Sequence, residues 1–116
     1  MSQINSNKIK NRKFQFWEYK VSHGSLLLRS PKTAEGFETN VDIVFSGVEY
    51  ISLPRHIDRP CIVIASQSDL EFVSGQLGRS VQPAELTVLI SNLSRYYVVA
   101  IQIKILETTG DIFDTL

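Results

Sequence analysis

Between Tyr96 and Leu106 the chain places Val99, Ile101, Ile103 and Ile105 at every second position, with Gln102 and Lys104 between them. A period of two is the spacing of a half-buried β-strand, since successive side chains point to opposite faces of a sheet. Burying four β-branched side chains is worth about 1.5–3 kcal/mol each. The run therefore predicts a long strand, Val98 to Leu106, that contributes much of the core and commits the chain to a mainly β fold.

Other segments repeat the pattern. Phe14 to Val21 alternates, with Phe14, Phe16, Glu18 and Lys20 on one face and Gln15, Trp17, Tyr19 and Val21 on the other. His23-Gly24 suits a tight turn that needs positive φ, so Ser25 to Ser30 is expected to return antiparallel until Pro31 stops it. Residues 31–39 read as a polar connector. Val41, Ile43 and Phe45 alternate with Asn40, Asp42 and Val44. After Ser46-Gly47, which closes a hairpin or bends one strand at a bulge, Val48 to Leu53 resumes. Of these alternatives separate strands are favoured. Pro54 to Pro60 reads as a loop, Cys61 to Ala65 as a central strand apolar on both faces, and Leu86 to Ile90 as a strand followed by a turn at Ser91 to Ser94.

One helix is expected, near 68–77. Ser68 and Glu71 have capping-box spacing, Leu70, Val73 and Leu77 form an apolar stripe, and Gly78 is a stop. The expected fold is thus mainly β, a single domain of six to seven mostly antiparallel strands with one short helix. A curled sheet, a sandwich or a small barrel would each satisfy it. Residues 1–12, polar and basic, read as a flexible lead-in to a domain spanning 13–116, with Ile112 and Phe113 able to dock the acidic tail.

The net charge is zero but unevenly spread. Residues 1–32 hold seven bases and one acid, whereas the remainder holds five bases and eleven acids. A basic arm could touch nucleic acid, but it lacks aromatics before Phe14 and has no dense arginine cluster. Internal neutralisation is the commoner origin of such a split. The beginning of the chain has no apolar stretch of the signal-peptide kind, and no run is long enough to span a bilayer. Cytoplasmic location without membrane association is the expectation. With a single cysteine no intramolecular disulfide can form. Cys61 opens an apolar run and reads as a core thiol rather than a nucleophile.

The tests for chemistry mostly fail. Zinc requires three or four converging ligands, and one cysteine with His23 and His56 does not supply them, so neither metal nor cofactor is expected. Ser74 to Arg79 has glycines but no phosphate-loop lysine. The densest polar cluster is Arg55-His56-Ile57-Asp58-Arg59. Here an imidazole and a carboxylate stand two residues apart between guanidiniums that suit a phosphate or carboxylate. Were His23 to join His56, Asp58 and Arg55, the set would resemble a small metal-independent enzyme for phosphate-containing substrates, with histidines moving protons and arginine stabilising the phosphorane. Phe14, Phe16, Trp17 and Tyr19 near Lys13 and Lys20 could stack bases, although such a series more often serves core and sheet edge.

Two stretches, Phe16 to Pro31 and Asn40 to Val48, resemble small uncharacterised bacterial β proteins of the immunity or accessory type. The resemblance covers only the first half of the chain. It implies a binding protein and brings no catalytic residues. Together these observations favour recognition of another protein through an edge strand and the 31–39 and 54–60 loops. Arg55, His56, Arg59, Trp17, Tyr19 and Tyr50 are the candidate contacts, and a homodimer through an edge strand is a further option. The phosphate-directed enzyme is the alternative, and nucleic-acid binding by the basic arm a weaker one.

Overall fold

A computed structural model describes residues 6–32 and 36–109; the tail positions Ile112 and Phe113 lie outside them. Nine strands and one helix follow in order: β1 Lys13–Lys20, β2 Ser25–Ser30, β3 Asn40–Ser46, β4 Tyr50–Ser52, β5 His56–Asp58, β6 Cys61–Val63, α1 Gln67–Leu77, β7 Leu86–Ser91, β8 Ser94–Val99 and β9 Gln102–Thr108. They form two antiparallel sheets, one ordered β5-β1-β2-β3-β9 and the other β4-β8-β7-β6. The mainly β expectation with one short helix holds.

The two sheets share one core. Phe14, Leu26, Leu28, Ile43 and Phe45 of the larger sheet pack with Leu89 and Val98 of the smaller. The opposite face of the smaller sheet is covered by α1, where Val73 joins Val81, Leu86, Val88 and Val99 in a second cluster. Thus Val88 and Leu89 of β7, like Val98 and Val99 of β8, are adjacent buried residues that serve different cores. No helix among the described residues is long and apolar enough to cross a membrane.

Several local expectations change for identifiable reasons. The long strand 98–106 is two strands, because the chain leaves the smaller sheet after Val99 and enters the larger at Gln102. At the crossing the Ala100 N–H donates to the Glu85 carbonyl and the Ile101 N–H to the Ser46 carbonyl. The face pattern resets there: Val99 lies under α1, Ile101 is 85% exposed, and Ile103 and Ile105 pack on the inter-sheet core. The second half, β9, is an edge strand.

β6 is likewise an edge, and Cys61 is exposed rather than a core thiol. In β1 the register jumps between Phe16 and Glu18, making Trp17 a bulge. Glu18, opposite Leu27, therefore shares a face with Gln15, opposite Arg29, and the strict alternation from 14 to 21 fails. Residues 6–12 are not a free lead-in: Ser6–Ile9 makes a 3-10 turn, Ile9 is 1% exposed in the core, and Arg12 is buried. The helix starts earlier than expected, at a capping box of Ser66 and Asp69 rather than Ser68 and Glu71, and ends at Gly78 as expected. Ser46-Gly47 divides β3 from β4, which belong to different sheets, so separate strands form without a hairpin between them.

Candidate functional site

The segment Pro54 to Pro60, read as a loop, contains β5, which extends the larger sheet as its edge. Apolar Ile57 is the reason it is held there: opposite Phe14, it is fully buried in the core. The register then fixes the directions of its neighbours. The Phe16 N–H donates to the Arg55 carbonyl and the Arg59 N–H to the Arg12 carbonyl. In an antiparallel ladder such bonded pairs alternate with unbonded ones. His56 opposite Gln15 and Asp58 opposite Lys13 are therefore the unbonded pairs, with their main-chain N–H and C=O turned away from β1. The Ser91 hydroxyl donates to the Asp58 carbonyl at 2.6 Å, tying the end of the β7–β8 hairpin to this edge.

Beside the edge lies a cleft of about 490 Å³. His56, Asp58, Lys13 and Gln15 line it from one face of β5 and β1. Ser91, Asn92 and Tyr96 line it from the hairpin, with Phe14, Ile57 and Pro54 completing the wall. The volume falls in the range of small-ligand and side-chain pockets, about 300–1,000 Å³.

Phe37 and Thr39, from the 31–39 segment, reach the same end of the molecule through Arg12. Its guanidinium donates to the Ser30 hydroxyl at 3.0 Å, to the Ser30 carbonyl at 3.2 Å and to the Thr39 carbonyl at 2.5 Å. It also lies 4.0 Å from the Phe37 ring centroid. Because the Arg12 carbonyl holds Arg59, one residue joins both loops named from the sequence.

The catalytic set does not assemble. His23 ends the 3-10 turn Val21–His23 and pairs with Ser22 at 2.9 Å. His56 stands opposite Gln15, and the strand path from Gln15 to Lys20 alone is about 16 Å at some 3.3 Å per residue. His23 lies beyond that, far outside hydrogen-bond reach of His56. Arg55 lies just before β5, while Arg59 ion-pairs with Asp58 at 3.4 Å; neither lines the cleft. Of the two hydroxyl-bearing residues that line the cleft, Ser91 and Tyr96, Ser91 is committed to a main-chain carbonyl. Among the described residues no three His, Cys, Asp or Glu side chains gather as metal ligands.

The aromatic contacts expected from sequence separate too. Trp17 lies under the Arg29 guanidinium, 5.3 Å from its ring centroid, and Tyr50 packs against the α1 core. Tyr19 is 37% exposed at the far end of β1. Tyr96, Asn92 and Ser91 were missed because their turn reads as connection only. The sole hint was Leu93, occupying a hairpin position where glycine is usual.

Comparison with protein-family models, with curated proteins and with solved structures finds no match to this chain.

Proposed function

We propose that this chain is a protein-binding module that takes an extended segment of a partner along β5. The observation that carries it is the outward-turned N–H and C=O of His56 at the lip of the 490 Å³ cleft. Strand addition supplies main-chain hydrogen bonds, and a cleft beside the edge supplies specificity for a side chain. Thr39 of the 31–39 segment and Arg59 of the 54–60 segment are both held by Arg12 at this end. The enzymatic reading keeps only His56 and Asp58 in one place, and the basic arm loses Ile9 and Arg12 to the fold.

The test uses His56→Pro. Proline is tolerated where an edge N–H faces away from the sheet, so the variant should melt like the parent. It removes the donor that a partner strand would use. A protein from the source cell held by the parent and by Ile101→Asp, but released by His56→Pro, is the expected result. Equal retention by all three, or by none, would overturn the reading.

A further inference from the structure

What the cleft can recognise depends on which of its side chains are already committed. On the face that His56 shares with Gln15, Lys13 stands opposite Asp58, and Asp58 pairs with Arg59 at 3.4 Å. The Ser91 hydroxyl is committed to the Asp58 carbonyl, and Phe14 and Ile57 are buried in the core. Four polar lining side chains have no hydrogen bond among the described residues: Gln15, His56, Asn92 and Tyr96. They come from β1, β5 and the β7–β8 hairpin, and converge only because the hairpin is fastened to the sheet edge. Each can both donate and accept a hydrogen bond, His56 in its neutral form.

The register determines which residue of a partner strand would meet them. Resting on the reading that an extended segment pairs with β5, the partner residue opposite His56 is held by the His56 N–H and C=O. Directly opposite residues point to one face, so the side chain of that residue enters the cleft. A charge of either sign would meet its like there, a carboxylate at Asp58 and a cation at Lys13. An apolar side chain would strip water from the four uncommitted groups and return no hydrogen bond. A hydroxyl has one donor only. A primary amide has two donor and two acceptor positions in one plane, matching four groups that each do both. We infer that the partner's segment carries glutamine or asparagine opposite His56, its side-chain amide held by Gln15, His56, Asn92 and Tyr96. Gln15 lies two strand spacings from such a segment, about 9.6 Å, so glutamine with its extra methylene is the better fit.

The experiment pans a phage library of random linear peptides against the full chain, with His56→Pro as the counter-selection. Peptides retained by the parent and not by His56→Pro should share one position occupied by glutamine or asparagine. A synthetic peptide from that set is then titrated against the parent. Replacing its amide residue by glutamate, lysine or leucine should in each case weaken binding at least about tenfold. On the protein side, Tyr96→Phe removes only a hydroxyl. Asn92→Gly removes an amide and keeps a residue that accepts the left-handed φ of 51°. Each variant should weaken the amide peptide about three- to tenfold and leave the leucine peptide unchanged. Equal losses for both peptides would make these side chains structural and overturn the inference. A shared position of any other class, or none, would also overturn it, while pairing along β5 and the protein-binding reading would stand. Peptides held equally by His56→Pro, or no enrichment on the parent, would overturn that reading together with the inference that rests on it.

Discussion

Asp69 accepts hydrogen bonds from Arg95 at 2.8 and 2.5 Å, so the first turn of α1 is fastened to the start of β8. The same carboxylate accepts from the Tyr97 hydroxyl at 2.8 Å and from the Ser66 N–H at 2.8 Å, all while 2% exposed. The Arg95 bonds, helped by Ser66 and Tyr97, outweigh burial and hold this carboxyl well below the usual carboxylate range. A depressed pKa contributes stability above the unfolded value, about 3.9 for aspartate, and loses it as pH falls through the folded value.

Asp69→Asn should therefore cost about 2–4 kcal/mol at neutral pH, combining a lost cap with a stranded ion-pair partner. Urea denaturation repeated from neutral to acid pH should show the parent weakening below about pH 4, with a flatter profile for the variant. Identical slopes in both would assign the acid sensitivity to other carboxylates.

Arg29 and Asp42 form a second clamp, paired across β2 and β3 at 2.7 and 2.9 Å. Both are buried, with the Trp17 ring over the guanidinium. The pair joins the base-rich first part of the chain to the acid-rich remainder. Removing one buried partner strands the other charge, so Asp42→Ala should cost about 3–5 kcal/mol. The double replacement Arg29→Met with Asp42→Leu should recover most of that loss. A double-mutant cycle by chemical denaturation checks it, and simple additivity would deny the pairing its weight.

What could be read from sequence was what local chemistry decides. Apolar alternation located β1 and β3, short apolar runs beside turn signals located β2 and β7, and glycine, proline and serine marked most of their ends. The failures arose where tertiary context overrode a local pattern. Nothing between Val98 and Leu106 announces a change of sheet, since Ala100-Ile101 suits a strand as well as a crossing. Pro54 to Pro60 looked like a loop because β5 has one buried residue, Ile57, and its pairing to β1 is non-local. Cys61 looked buried because an apolar triplet does not reveal whether its strand is central or at an edge. Of the site, His56 and Asp58 were nominated from their spacing, while Tyr96 and Asn92 depend on where the hairpin comes to rest.

Val98 and Val99 offer a direct check on the change of sheet. They are adjacent and buried, yet Val98 belongs to the inter-sheet core and Val99 to the core beneath α1. Truncating either to alanine should cost about 2 kcal/mol, the loss of two buried methyl-sized groups plus the space they leave. Ile101→Ala, at 85% exposure, should change stability by less than about 0.5 kcal/mol. An Ile101→Ala cost matching that of Val99→Ala would restore a single straight strand with both residues on one buried face.

The crossing itself can be tested at Gly47, which has φ of 66° and sits against Ile101. A Cβ at position 47 would lie 2.6 Å from Cδ1, 2.8 Å from Cγ1 and 3.0 Å from Cβ of Ile101. Gly47→Ala thus combines left-handed strain of about 1–2 kcal/mol with a steric clash against the residue that turns the chain from one sheet to the other. Shortening Ile101 to alanine removes the two nearest of those atoms but leaves the backbone strain. Gly47→Ala alone should therefore be the least stable variant, and Gly47→Ala with Ile101→Ala should regain the clash but not the strain. Thermal melts of the four chains in this cycle measure the coupling directly. Zero coupling would mean that Ile101 does not rest on Gly47 in solution, and the path of the chain between the two sheets would have to be redrawn.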